Sequence, residues 1–193
     1  MDNEQTAILF KDKKYGFFIY LFVEAIMFAT LFATYIIFTP PEEGPTPANV
    51  FKWKNVILLS LFLLPSSLTL MISEKALKYN QPERLVTGLV LTLLLGLTFF
   101  FMEANEFYTY MVHDGYLMST SNFFASYYVL VGLHAAHVGF GCFWMILLLI
   151  QYHMKIPRTL YEEKQRIFQY YWHFVDVIWL FIVMIVYLPY LID

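Results

Sequence analysis

Two strings in this chain bring proton-handling or metal-ligating side chains to one face of a helix. In YYWHFVDVIWLF, His173 and Asp176 stand three residues apart, a spacing that aligns them on one side of an α-helix. In GLHAAHVGFG, His134 and His137 repeat that spacing, with Gly132, Gly139 and Gly141 nearby to admit another backbone. Glu24 sits in YGFFIYLFVEAIMFATLFATY, and FFFMEANEFYTY holds Glu103 and Glu106 with Asn105 between them. Imidazoles and carboxyls in such sets can exchange protons, ligate a metal or lock helices together by hydrogen bonds. Their surroundings are almost entirely hydrocarbon.

The elements that position them follow from composition. The chain has 193 residues, of which 60% are hydrophobic and 14% charged, against about 45–50% and about 25% in soluble domains. This is the composition of a membrane protein. A spanning helix needs about 20 apolar residues, and five runs qualify: about 15–38, 53–77, 85–111, 123–152 and 168–191. The fold class is all-α, a bundle of five transmembrane helices forming one membrane domain over 1–193 with no room for a soluble one. The first loop, TPPEEGPTPANVFK, is broken by four prolines and a glycine. The second, EKALKYNQPERL, breaks at Pro82; the third, HDGYLMSTSN, supplies turn formers and N-caps; the fourth, HMKIPRTLYEEKQR, is the longest charged stretch. The N-terminus lacks a basic region with a small-residue cleavage site, so the first apolar run is expected to be retained.

Charge orients the bundle. Lys11, Lys13 and Lys14, then Lys75, Lys78 and Arg84, then Lys155, Arg158, Lys164 and Arg166 fall on one side, and only Lys52 and Lys54 on the other. Positive charge stays cytoplasmic, so the N-terminus is expected inside and the C-terminus outside. The formal net charge of -3 says little, because the charges are segregated. A single cysteine, Cys142, excludes an internal disulfide framework and a thiolate metal cluster built by this chain alone.

Within the spans, a charged side chain at mid-membrane costs about 2.5–3.5 kcal/mol on insertion scales. No Lys or Arg lies deep in any span, so carboxyls there are protonated or pair with imidazoles and hydroxyls. Glu24 lies about 13 Å along from Tyr15 at 1.5 Å per residue, near mid-membrane. It reads as a proton-exchanging or lipid-sensing carboxyl, or as a protonated acid bonded to a neighbouring helix, where Ala25, Ala29 and Ala33 allow close contact. Glu103 and Glu106 read as a polar network ordering the outer end of helix 3; the Glu-x-x-His motif of helical di-iron sites is absent. For His134 and His137, a hydrogen bond to a carboxylate on another helix needs less than a coordination shell does. His173 and Asp176 have each other, His134, His137 and Glu24 as available partners, which makes Glu24, His134, His137, His173 and Asp176 an expected interhelical network. Trp172 and Trp179 flank it as packing aromatics, and Tyr187 and Tyr190 are placed in an interfacial belt.

These strings carry a resemblance. YWHFVDVIWLF resembles the final-helix signature of subunit III of haem–copper terminal oxidases, and GLHAAHVGFG resembles that family's G-x-H-x-x-H-V motif. EANEF followed by DG and a Ser/Thr-rich turn is similar to its helix-to-loop junction, and Glu24 matches its carbodiimide-reactive buried carboxylate. The matches run in order along helices 1, 3, 4 and 5. Longer members have seven helices, the first two forming one wall of a phospholipid-holding cleft; this chain matches the last five, like the short bacterial form. The resemblance implies a non-catalytic subunit with no haem, copper or other cofactor of its own, with haem and copper in partner subunits and phospholipid as a bound ligand. It implies catalytic subunit I as main partner, with subunit II, a small subunit IV and membrane lipids, no nucleic acid, and a multi-pass location in the bacterial plasma membrane. Its expected work is to stabilise the catalytic subunit and support proton uptake.

Two other classes compete. A membrane di-metal oxidase would use Glu103, Glu106, His134 and His137, but topology sets those carboxylates near the outer face and the histidines deeper. An independent proton-coupled transporter would show internal repeats and broken paired helices, and only Pro65 in helix 2 offers such a break.

Overall fold

Hydrocarbon offers no partner to a backbone N–H or C=O, so an apolar run must close its own hydrogen bonds. All five runs do so as helices. The structure, a computed structural model, describes residues 3–39, 50–154 and 156–191, with side chains for 13–39, 50–154 and 156–190. The proline-rich stretch 40–49, Lys155 and the side chain of Lys11 lie outside these. Helix α1 runs Asn3–Ile37, α2 Trp53–Lys78, α3 Pro82–Tyr108, α4 Asn122–His153, α5 Arg158–Ile182 and the short α6 Leu188–Leu191. Wider π-helical turns extend α3 through Thr109–His113 and join α5 to α6 through Val183–Tyr187. Among the described residues, five spans are long and apolar enough to cross a membrane: Lys13–Ile37, Trp53–Lys78, Pro82–His113, Asn122–His153 and Arg158–Tyr190.

Several boundaries differ from the hydropathy reading, each for a local reason. The charged segment expected as the fourth loop is helical from Arg158, because Arg158 pairs with Glu162 at 2.7 Å and Arg166 with Glu163 at 3.3 Å along the helix. Its inward residues, Tyr161 and Gln165, are buried. Helix α1 begins near Asn3 rather than at 15; its 35 residues extend about 52 Å, well past a hydrocarbon core of about 30 Å. Pro82 opens α3, a position where its missing N–H removes nothing from the helix. Pro65 does not interrupt α2, which continues through it. Ser121 caps α4, its hydroxyl accepting from the Phe124 N–H at 3.3 Å.

Helices α2, α3, α4 and α5 pack in sequence, and α5 closes back on α2, making a four-helix ring. Helix α1 leans on the outside of α4 and α5. The centre of the ring is Trp172, wholly buried. Its indole fills the space left by two glycines on facing helices: a Cβ at Gly141 would lie 2.5 Å from it, and one at Gly96 2.8 Å. At the end rich in Lys and Arg, hereafter the basic end, Arg158 ties α5 to the α2–α3 turn. It donates to the Leu77 carbonyl at 3.1 Å and to Asn80 Oδ1 at 3.0 Å; Asn80 holds the left-handed φ of 58° that reverses the chain. At the opposite end Tyr187 is not in an interfacial belt. The π-helical turn swings it inward, where it is fully buried and its hydroxyl lies 3.0 Å from that of Tyr127. Tyr190 is half-buried.

Candidate functional site: polar groups within the membrane spans

Among the described residues, the carboxyls and imidazoles singled out from the sequence fall into four places. The most extensive is the seam between α2 and α5, which run antiparallel. Four serines of α2 meet polar groups of α5 in order. Ser60 accepts from Trp179 Nε1 at 3.0 Å, Ser66 from Trp172 Nε1 at 2.9 Å, and Ser73 from Gln165 Nε2 at 3.1 Å. Between them Ser67 donates to Asp176 Oδ2, and its oxygen lies 3.1 Å from His173 Nδ1. With the Ser67 proton given to the carboxylate, the remaining contact is made by an Nδ1–H of His173 donating to the hydroxyl. The order differs from a hydrolase triad, where the imidazole is the central member and takes the serine proton. Here the hydroxyl is central, so the arrangement joins two helices rather than preparing a nucleophile.

The second place joins α1 to α4. His137 Nδ1 is 2.8 Å from the Leu133 carbonyl one turn back, so it carries the proton and leaves Nε2 facing Glu24 Oε2 at 3.3 Å. That approach is at ion-pair distance without hydrogen-bond alignment, since the same oxygen lacks an aligned donor. Both side chains are largely buried, under Phe28 at 5.2 Å and Tyr171 at 6.4 Å from the imidazole. The Tyr171 hydroxyl donates to the His137 carbonyl at 2.8 Å. With Nδ1 fixed, Nε2 is the nitrogen left facing the carboxyl.

The third place is His134, fully buried, with neither nitrogen hydrogen-bonded among the described residues. Its ring stacks on Trp179 at 5.5 Å and meets the edge of Phe99 at 5.8 Å. The fourth lies at the end opposite the basic end. Glu106 accepts from the Tyr110 hydroxyl at 2.6 Å and from Asn55 Nδ2 at 3.4 Å. Glu103 is fully buried, with no hydrogen-bond partner for either oxygen among the described residues.

The five residues expected in one network are thus divided. Glu24 meets His137, His173 and Asp176 meet through Ser67, and His134 stands apart between α3 and α5. Side chains three residues apart stand about 60° apart around a helix; one hydroxyl, that of Ser67, spans this angle for His173 and Asp176, whereas His134 and His137 fall to either side of it, toward Trp179 and toward Glu24. The serines of α2 were missed, although 60 with 67 and 66 with 73 each repeat at seven residues and so share a side of the helix. The di-metal set does not converge either: His137 faces Glu24, His134 is enclosed by aromatics, and Glu106 is engaged by Tyr110 and Asn55. Among the described residues no three His, Cys, Asp or Glu come close enough to hold a metal ion.

The chain has relatives among known proteins. A sequence model of the family described as Cytochrome c oxidase subunit III matches residues 1–190. Cytochrome c oxidase subunit 3 of Alkalihalophilus pseudofirmus is 38% identical over 186 residues, covering 96% of this chain and 90% of the relative. Quinol oxidase subunit 3 of Bacillus subtilis is 39% identical over 176 residues, 90% of this chain and 85% of the relative. The cytochrome bo(3) ubiquinol oxidase subunit 3 of Pseudomonas aeruginosa is 31% identical over 175 residues, 90% and 83% of the two chains.

Proposed function

We propose that this chain, which belongs to the cytochrome c oxidase subunit III family, is the non-catalytic subunit of a respiratory proton-pumping haem–copper oxidase that stabilises the catalytic subunit and supports its proton uptake. The basic end then faces the cytoplasm of a bacterial cell, with haem and copper in partner subunits: catalytic subunit I, subunit II and a small subunit IV. The observation that carries the reading is how the intramembrane polar groups are used. Ser60, Ser66, Ser67 and Ser73 meet α5, and Glu24 meets His137. Groups committed to holding helices together suit a scaffold.

Glu24 is the group suited to proton exchange, because its partner Nε2 can take or return a proton while Leu133 holds the other nitrogen in place. A lipid role is supported by a groove of about 560 Å³ between α1 and α5. It is lined by Ala25, Ala29 and Ala33 on one side and Phe174, Val177 and Phe181 on the other. Its width comes from the alanines, and its lining suits an acyl chain.

The test is to purify the tagged chain from detergent-solubilised membranes and record a visible spectrum. Co-purifying haem supports the reading, and a folded chain that purifies with neither haem nor partner sinks it. For the finer claim, Glu24→Gln should slow proton uptake by the assembled oxidase while leaving its haem content unchanged; unaltered uptake would remove Glu24 from the proposal.

A further inference from the structure

Two broad apolar faces of this bundle point outward, and they differ in chemistry. On α1 the exposed residues include Ile19, Phe22, Val23, Ile26 and Ile37, and the hydroxyls among them bond back to their own helix: Thr30 to the Met27 carbonyl at 2.6 Å and Thr34 to that of Thr30 at 2.8 Å. Acyl chains satisfy such a face. The outer side of the α2–α5 seam also exposes apolar residues, Ile57, Leu61, Leu68, Leu180 and Met184. Between them lies a groove of about 650 Å³ lined by Trp53, Leu61, Leu64, Pro65, Val183 and Leu188.

This second face carries hydrogen-bonding groups that lipid cannot satisfy. Pro65 has no N–H, so the Leu61 carbonyl one turn earlier loses its helical donor, and Leu61 is 61% exposed. One turn beyond the groove, half-buried His173 uses Nδ1 on Ser67, and its Nε2 has no partner among the described residues. The carbonyl and the imidazole nitrogen are both acceptors, and in hydrocarbon an acceptor left unpaired carries a substantial free-energy cost.

We propose that the outer α2–α5 seam is the docking face for one transmembrane helix of another subunit, a helix that carries hydrogen-bond donors at the depth of Leu61 and His173. Small or hydroxylated residues would let it enter the groove. The inference rests on the subunit reading above only in taking the partner to be another chain of the oxidase.

The test uses the full tagged chain in its own membranes, with the photoreactive residue p-benzoyl-phenylalanine placed at Leu61, or at Ile26 on α1 as control. The expected result is a covalent adduct to another polypeptide from Leu61 and adducts to lipid alone from Ile26. Lipid adducts alone from Leu61, or adducts to a second copy of this chain, would overturn the docking face. In a separate strain, His173→Leu should lower retention of the captured polypeptide in detergent about tenfold while helix content by circular dichroism is kept; undiminished retention would count against the donor-bearing helix. Haem recovered with the unmodified chain separates the two readings. Haem with lipid-only adducts overturns the seam and leaves the subunit role standing, whereas a protein adduct without haem does the reverse.

Discussion

Helices α1 and α2 flank α5, but they are attached by different physics. Helix α2 is joined through side-chain hydrogen bonds spread from Ser60 to Ser73. Helix α1 is joined by ring contacts such as Phe28 with Phe174 at 6.3 Å, by a long Tyr35-to-Val186 hydrogen bond of 3.4 Å, and by the Glu24–His137 approach to α4. An open apolar groove remains beside it. In lipid there is no hydrophobic gain from pressing one apolar helix on another, so close packing and hydrogen bonds decide which contacts hold. The comparison therefore predicts a firmly fixed α2 and a more loosely held α1.

The largest test is at the centre of the ring. Trp172→Ala removes the indole that Gly96 and Gly141 accommodate and the donor to Ser66; it should cost about 3–5 kcal/mol, read by detergent-induced unfolding of the purified chain. A loss below about 1 kcal/mol would mean that the ring does not depend on its central side chain. Gly141→Ala inserts a methyl 2.5 Å from that indole and should cost about 1–3 kcal/mol. Ser67→Ala removes the hydroxyl that His173 and Asp176 share; about 1–2 kcal/mol is expected in the same assay. On the α1 side, Glu24→Gln should cost less than about 1 kcal/mol, because an amide can still donate to His137. Smallest of all, Tyr35→Phe removes only a long bond and should shift stability by a few tenths of a kcal/mol. If either α1 change equals Ser67→Ala, the contrast between the two helices is broken.

The five spans and their order were legible because hydropathy over about 20 residues is a local property. What hydropathy obscured was helix beyond the bilayer. Arg158 to Gln165 reads as a charged loop until its i,i+4 pairing and its buried Tyr161 are seen together. Glu24, His134, His137, His173 and Asp176 were recognisable as residues that membrane burial makes exceptional, but their partners depend on the rotation of each helix. Neither rotation nor neighbour order is written in a single span. Ser67 escaped notice for a related reason: a hydroxyl can satisfy itself on its own helix, as Thr30 does on Met27, so only the tertiary structure reveals which ones reach across. Tyr187 was misplaced because a π-helical turn shifts every later side chain around the axis, and that turn leaves little trace in composition.

The serine seam also has a consequence for how the chain is made. Its two halves are far apart in sequence, 92 residues between Ser73 and Gln165 and 119 between Ser60 and Trp179. At about 5–20 residues per second, roughly 5–24 s pass between synthesis of one half and the other. During that interval the α2 serines are without the Gln165, Trp172, His173, Asp176 and Trp179 partners that α5 brings. Emergence of α5 ends the wait and closes the ring. A nascent chain halted after α4 would therefore display an unfinished α2, a feature by which membrane quality control could tell an incomplete product from a finished one.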